Sequence, residues 1–368
     1  MEKQSLSALS LIVNQFCVEG ILQNICAYGN GHINATYYLE TEKNAQVHRY
    51  ILQQINTDIF KNPDQLMENI VGVTEFLKAK IRERGGDCSR ETLQVIETKD
   101  GSSYYRDENG SCYRMYLFIV DSASYDQVDS AETFYESAVA FGNFQALLAE
   151  YPAHKLHETI PHFHDTKKRF ENFLTALEQD ICGRAKSVQE EIAFVMDRKD
   201  EMDCLTKLLA SGELPMRVTH NDTKLNNIMI DDTTKKGICI IDLDTVMPGS
   251  ALYDFGDSIR FGANTAAEDE TDLSKVSLSL PLYTAYVKGY LEGCQGKLTA
   301  LEKELLPVGA KMMTLECGMR FLTDYLQGDT YFRIHRPKHN LDRCRTQFAL
   351  VADMEKKWDE MKAVVAAC

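Results

Sequence analysis

The sequence predicts an α+β fold of two lobes, a small N-terminal antiparallel sheet lobe over residues 1–121 and a larger, mostly helical lobe over residues 122–368. Three observations predict it. The first third is rich in β-branched and aromatic runs broken by Gly and Asn; from about Thr133 the apolar period becomes helical; and one strand-like block, residues 215–262, interrupts the helical remainder. At 368 residues the chain is long enough for both lobes, with a cleft expected between them.

Taken in order, ILQNICAYG and ATYYLET, on either side of Gly29-Asn30-Gly31, read as two antiparallel strands, and VHRYILQQIN as a third. Pro63 and Asp64 open a helix whose Leu66, Ile70, Val73 and Leu77 fall on one apolar face. ETLQVIET and YRMYLFIV, flanking the polar turn DENG, are expected as two more strands of the first lobe. Beyond Ser122, the residues Phe134, Ala138, Phe141 and Leu148 mark the first helix of the second lobe. Further helical segments are expected near 166–181, 186–210, 276–293, 302–327 and 342–365.

Composition removes several function classes. A formal net charge of −15 argues against a nucleic-acid binder held by phosphate neutralisation and against an anionic membrane surface. Eleven cysteines without a C-x-x-C pair give neither a disulfide framework nor a zinc spacing. The stretch SLSALSLIVNQFCVEG lacks a basic leader, and no run reaches the ~18 apolar residues of a membrane helix. A cytoplasmic protein, expected as a monomer, fits these features.

The chemistry concentrates in VTHNDTKLNNIMI and the following KKGICIIDLDT. His220, Asp222, Lys224 and Asn227 fit H-x-D-x-K-x-x-N, and fifteen residues after Asn227 an apolar run ends at Asp242. Phosphoryl transfer needs a carboxylate to orient and deprotonate the accepting hydroxyl, oxygen ligands for Mg²⁺, and a cation near the transferred group. Asp222, then Asn227 with Asp242, and Lys224 are the residue types for those parts. A strand over 226–230, a turn over 231–237 and a returning strand over 238–241 are expected to bring Asn227 and Asp242 to one ion.

Asp254-Phe255-Gly256 spells the D-F-G string of protein kinases, yet it follows the turn-like residues Pro248, Gly249 and Ser250 and precedes a helical segment. Asp254 is therefore expected to hold loop amides, with the metal role left to Asp242. Asp244 is either a second ligand or a surface acid.

HNDTKLNN, IIDLDTVMPG and YDFGD resemble the aminoglycoside phosphotransferase and choline kinase superfamily of small-molecule kinases. A closer resemblance, to bacterial N-acetylhexosamine 1-kinases, takes in YGNGHINATYYLET, YILQQIN, PDQLMENI, RMYLFI and NLDRCRTQF. It implies a bilobal protein-kinase-like fold, ATP and Mg²⁺ as cofactors, and a sugar 1-phosphate product.

Gly29, Asn30, Gly31, His32 and Asn34 form a glycine loop between two strands, able to bring backbone amides to phosphate oxygens, although alone such a sequence is usually a plain turn. The related protein kinases and aminoglycoside kinases carry a phosphate-binding Lys on the third strand; here HRYILQQIN has none. Arg49 or Gln53 is the candidate substitute, and Glu68 on the following helix loses its usual partner. Tyr116 and Phe118, in the segment 115–119, are expected at the hinge edge that reads adenine, or else simply in a strand.

On the acceptor side, the resemblance places Arg320 and Tyr331 against the sugar, together with Asp222. Read without it, Arg320 is equally a structural ion-pair residue and Tyr331 a core aromatic. A quaternary ammonium acceptor favours an aromatic cage, best made with Trp, and Trp358 is the only one. The expectation is an ATP-dependent kinase of the anomeric hydroxyl of N-acetylglucosamine or N-acetylgalactosamine. The alternatives are a kinase of homoserine, choline or an aminoglycoside, and a nucleotide-binding pseudokinase.

Overall fold

A computed structural model describes residues 6–29, 33–125, 128 and 130–368. The chain forms two compact units, one of Met1–Ala123, Lys155–Ile160 and Met229–Val246, the other of Ser124–His154, Pro161–Ile228 and Met247–Cys368. A single cut at residue 122 does not follow this grouping. The segment 229–246 packs with the first unit because Asp231 receives Arg90 at 2.8 Å and the Asp232 N–H donates to the Asp121 carbonyl.

In the first unit, helix α1 (Leu6–Val13) precedes strands β1 (Ile21–Ala27), β2 (Ala35–Lys43) and β3 (Gln46–Ile55), helix α2 (Pro63–Glu83), the short helix α3 (Cys88–Glu91), and strands β4 (Tyr105–Arg106) and β5 (Cys112–Leu117). The strands form an antiparallel sheet in the order β1-β2-β3-β5-β4. Strand side chains alternate between faces. One face buries Ile25, Leu39, Tyr50, Leu52, Tyr113 and Met115 against Leu9, Ile12 and Val13 of α1 and against Phe16. Each such side chain contributes roughly 1.5–3 kcal/mol when fully buried. The mildly apolar N-terminal stretch is thus core for the sheet, and the opposite face is left for polar groups.

ETLQVIET is not a strand. Its first residue, Glu91, ends α3, and a turn in which the Thr98 N–H donates to the Ser102 carbonyl reverses the chain at its other end. Between them Ile96 donates to the Met115 carbonyl, Gln94 accepts from Leu117 and Glu97 accepts from Cys17, isolated bridges that do not extend into a strand. The edge strand is the two-residue β4, joined to β5 by the expected Asp107–Gly110 turn. Helix α2 buries Leu66, Ile70, Val73 and Leu77 as its spacing predicts. It also buries Asn69, whose Nδ2 donates to the carbonyls of His157 and Val246 and so ties both later segments to this unit. Strands β6 (Ser122–Ala123), β8 (Ile228–Asp231) and β9 (Gly237–Ile240) make a second small sheet.

The second unit holds helices α4 (Ala131–Leu147), α5 (Thr166–Gln179), α6 (Gln189–Met196) and α7 (Cys204–Ser211), strand β7 (Arg217–Thr219), strand β10 (Met247–Gly249) and helices α8 (Ala251–Gly262), α9 (Leu280–Gly293), α10 (Ala300–Glu304), α11 (Leu306–Leu326), α12 (His339–Lys356) and α13 (Trp358–Ala367). The segment expected as one helix over 186–210 is two, split by the largely charged run 197–203, in which Arg198 reaches Glu355, Glu201 pairs with Lys311 and Met202 is buried. Helices α8 and α11 approach closely at Gly256, where an added Cβ would lie 2.3 Å from the Gly309 carbonyl oxygen. Glycine in the D-F-G string is therefore a packing requirement. Among the described residues no helix is long and apolar enough to cross a membrane.

Candidate active site

The catalytic loop lies in the second unit, between β7 and a short turn over Leu225–Asn227. Strand β7 pairs antiparallel with β10, which leads directly into α8. From the first turn of that helix Asp254, fully buried, accepts the backbone N–H groups of His220 (3.0 Å) and Asn221 (2.8 Å) and the Gln145 amide (2.9 Å). One turn further, Asp257 accepts the Thr223 N–H at 3.1 Å, and Ser258 donates to the Thr223 carbonyl. These bonds hold Asn221 at φ 66°, a left-handed conformation that Asn tolerates. Asp254 has the expected role of loop holder. Burial pushes its pKa up, against the pull of His220 and the donated N–H groups.

Asp222 and its neighbours emerge from this scaffold. The Asp222 carboxylate meets Lys224 Nζ at 2.7 Å through one oxygen and Asn227 Nδ2 at 3.1 Å through the other, and Nδ2 also donates to the Asp222 carbonyl at 2.8 Å. Asp222 raises the Lys224 pKa well above the ordinary value, with burial opposing and Asp257 assisting. Burial works to raise the Asp257 pKa, but Arg260 and Lys224 outweigh it and hold that carboxyl below the usual range. The loop therefore presents a half-buried carboxylate between a fixed ammonium and a fixed amide. Asn227 lies in the turn, and strand β8 begins only at Ile228, two residues later than the sequence suggests.

In the first unit, the sheet face opposite α1 carries a row of directly opposed residues, Thr36, Gln53 and Arg114. Gln53 donates to Thr36 at 3.1 Å and accepts both Nε and Nη2 of Arg114, at 3.0 and 2.8 Å. Arg114 is buried, stacks over Tyr116 with its guanidinium 5.3 Å from the ring centroid, and forms an ion pair with Asp244. The other Asp244 oxygen accepts Asn34 Nδ2 at 2.6 Å, while Asn34 Oδ1 accepts the Asn56 N–H. Asp244 is only 4% exposed, so it is not the surface acid allowed by the sequence. Asp242 is exposed and takes a left-handed backbone at φ 57°.

Of the glycine loop, Gly29 has φ 73°, the conformation for which glycine is suited, whereas Asn30, Gly31 and His32 lie outside the described residues. Phe118 packs edge-on to Tyr28 and Tyr38. Arg49 pairs across the sheet with Glu40 at 3.3 Å, and Glu68 meets His157 at 2.6 Å. Neither side chain is paired with the other.

Arg320 and Tyr331, expected at the acceptor end, sit in the second unit, where His164 links the helix that carries Arg320 to the Asn221 carbonyl. The His164 ring contacts Glu316 of α11 at 2.8 Å on one nitrogen and the Asn221 carbonyl at 3.4 Å on the other. Arg320, one turn beyond Glu316, places its guanidinium 5.4 Å from the Phe163 and Phe332 ring centroids and 5.9 Å from that of Tyr331. Asp324, a turn later again, accepts the N–H groups of Thr330, Tyr331 and Phe332 and so shapes the segment that carries both rings. Tyr331 itself is exposed, not a core aromatic. A second guanidinium, Arg169, donates twice to the Phe163 carbonyl; burial lowers its pKa, and the charge of Arg320 lowers it further.

The model of the phosphotransferase enzyme (APH) family matches residues 24–277. The chain belongs to this family. Its fold is also that of solved kinases. An aminoglycoside phosphotransferase from Alicyclobacillus acidocaldarius is similar at a TM-score of 0.61 and 12% identity, over 100% of this chain and 98% of that one. A spectinomycin phosphotransferase, solved with ADP and spectinomycin, gives 0.58 and 13%, over 98% and 100%. A choline kinase from Cryptosporidium parvum gives 0.56 and 13%, over 98% of each. As an APH-family member, the chain is a nucleotide-binding phosphotransferase that acts on hydroxyl groups of small molecules.

The donor chemistry suits a magnesium ion. In the second unit Asn227 spends its Nδ2 on Asp222 and keeps its amide oxygen, and in the first unit Asp242 carries an exposed carboxylate; each is a hard oxygen donor of the kind Mg²⁺ takes. Sequence reasoning missed Arg114, His164, Glu316, Phe163 and Phe332. Arg114 had a legible signal, since a cation inside the run CYRMYL must find a partner once that strand is buried. Phe332 had none, because nothing local distinguishes it from a core aromatic.

Proposed function

We propose that this APH-family phosphotransferase is an ATP- and Mg²⁺-dependent kinase of the anomeric hydroxyl of N-acetylhexosamines, releasing the sugar 1-phosphate. The observation that carries the acceptor class is the Arg320 guanidinium among Phe163, Tyr331 and Phe332, with a second guanidinium, Arg169, donating to the Phe163 carbonyl. Aromatic rings that recognise an ammonium acceptor must be open to it. Here they already face a fixed cation, which repels choline and aminoglycosides and attracts hydroxyl and acetamido oxygens.

In this reading Asp222 accepts the hydrogen bond of the sugar hydroxyl and takes its proton as the phosphoryl group transfers. Lys224 stabilises the negative charge on the transferring group, and Asn227 orients Asp222 through its Nδ2. Asn227 and Asp242 are the residues that would hold Mg²⁺, which when bound neutralises phosphate charge. Gly29, Asn34, Tyr116 and Phe118 line the nucleotide side, with Gln53 holding the row behind them.

ADP release measured with free N-acetylhexosamines, hexoses, homoserine and amino alcohols tests the proposal, and a phosphorus NMR spectrum of the product gives its regiochemistry. Turnover confined to the amino alcohols, or phosphate on any hydroxyl but the anomeric one, sinks it. A hydroxy acid such as homoserine is the second reading, because a guanidinium equally suits a carboxylate.

A further inference from the structure

The polar face of the first unit's sheet contains a buried cation for which neither the catalytic loop nor the acceptor residues account. Arg114 is 1% exposed. Its Nε and Nη2 point at Gln53, and its remaining nitrogen faces Asp244. No donor is turned to solvent, so the guanidinium is not placed to grip a ligand directly. Burying a charge is costly, and a buried ion pair is weak evidence for stability as such. What the pair does is join chain segments. Through Gln53 it holds β3, through Asp244 the segment after β9, and through the 2.6 Å bond from Asp244 to Asn34 the far end of the glycine loop.

The segment so held begins with a strained residue. Asp242 has φ 57°, in a left-handed region that a non-glycine residue keeps only where the surroundings over-determine it. Leu243 is buried beside it, its carbonyl accepts the Val246 N–H, and Asp244 is clamped by Arg114. We propose that Arg114 is a positioning residue that uses Asp244 as a lock, fixing the turn that presents the Asp242 carboxylate and the Asn34 end of the glycine loop to a metal–nucleotide complex. Asp244, with both oxygens engaged, is the lock and not a metal ligand. The inference rests on the kinase reading only in taking Asp242 and Asn34 as part of the nucleotide side.

The test uses the full chain without acceptor and measures Mn²⁺–ADP binding by calorimetry and by Mn²⁺ electron paramagnetic resonance, alongside thermal melting. Residues that orient a metal ligand through another group typically change metal affinity by about 10–100-fold, and that loss is expected for Arg114→Met. Arg114→Lys recovers only part, because an ammonium lacks the fork that reaches Gln53 and Asp244 together. Adding Asp244→Asn to Arg114→Met is expected to weaken binding no further, since it removes the carboxylate left unpaired. Should Arg114→Met fail to fold, Asn34→Ala removes one bond of the lock at a half-buried loop position and is expected to weaken Mn²⁺–ADP several-fold with little change in melting. Wild-type affinity in a folded Arg114→Met chain, or in Asn34→Ala, overturns the proposal. So does additive loss in the double variant, which would make Asp244 an independent ligand. A wild-type chain that binds no Mn²⁺–ADP overturns the kinase reading and this inference with it, whereas normal wild-type binding with an indifferent Arg114→Met overturns the inference alone.

Discussion

Asn227 donates from one Nδ2 group to the Asp222 carbonyl at 2.8 Å and to the Asp222 carboxylate at 3.1 Å. The same residue thus fixes both the backbone and the side chain of Asp222, the proposed base, while Lys224 takes the other carboxylate oxygen at 2.7 Å. A base held this way has no rotamer to search before reaction. General-base removal costs about 10²–10⁴-fold in rate, so Asp222→Ala is expected to lose turnover by that order while ADP still binds. The kinetic loss is read from ADP release and the retained affinity from calorimetry; near-normal kcat contradicts the assignment.

Asp242 is exposed and already in a left-handed conformation, so its replacement by Asn, which also tolerates that region, tests ligation without disturbing the turn. Asp242→Asn is expected to raise the Mg²⁺ concentration needed for half-maximal activity by about tenfold or more, the cost of one charge-assisted ligand. Affinity for ADP without metal should be unchanged. An unaltered Mg²⁺ dependence argues that Asp242 does not ligate the ion.

Asp254 makes the opposite prediction. Its carboxylate is spent on the N–H groups of His220 and Asn221 and on Gln145, so Asp254→Asn replaces an ideal acceptor with one that must also place two hydrogens. The expected loss is about 1.5–3 kcal/mol of stability, the range for hydrogen bonds to a charged group, seen as a lower denaturation midpoint. Turnover falls as the loop loosens, yet the Mg²⁺ requirement stays as in the wild type. A selective shift in that requirement would make the D-F-G aspartate a ligand after all.

The helices, the three-strand start of the sheet and the catalytic loop were legible because each rests on local chemistry. Leu66, Ile70, Val73 and Leu77 repeat at helical spacing, and His220 to Asn227 form one short string. ETLQVIET has strand composition, but its ends are claimed by α3 and by the turn at Thr98, and composition carries no such information. Gln53 and Asp244 were each noticed singly. Their meeting on Arg114 depends on the β3–β5 register and on a segment 130 positions downstream of Arg114, which spacing along the chain does not encode.

Arg320 faces three aromatic rings and has Arg169 as a like-charged neighbour, so removing it should change what the acceptor end prefers as well as how tightly it binds. Losing a charged hydrogen-bond donor to a neutral acceptor costs about 1.5–3 kcal/mol, or roughly 10–100-fold in acceptor KM, with the KM for ATP unchanged. Arg320→Ala is also expected to relax discrimination against amino alcohols, because the rings then meet no cation. Steady-state kinetics over the same acceptor panel measure both effects. A variant with wild-type KM for every acceptor places the sugar elsewhere.

Glu316 links α11 and the loop that carries Asp222 through His164 and gives the fold a pH signature. Burial works to raise its pKa, but His164, Arg320 and the Thr166 hydroxyl outweigh it and hold the carboxyl below its ordinary value of 4.5. A carboxyl depressed in the folded state contributes stability above its unfolded pKa and loses it as the pH falls through the folded value. Wild type should therefore exceed Glu316→Gln in stability near neutral pH by about 1–3 kcal/mol, with the difference shrinking below about pH 4.5. Denaturant melts of both chains across that range measure it. If the gap stays constant on acidification, the Glu316 carboxylate carries no charge-dependent part of the link, and the coupling between α11 and the loop is packing alone.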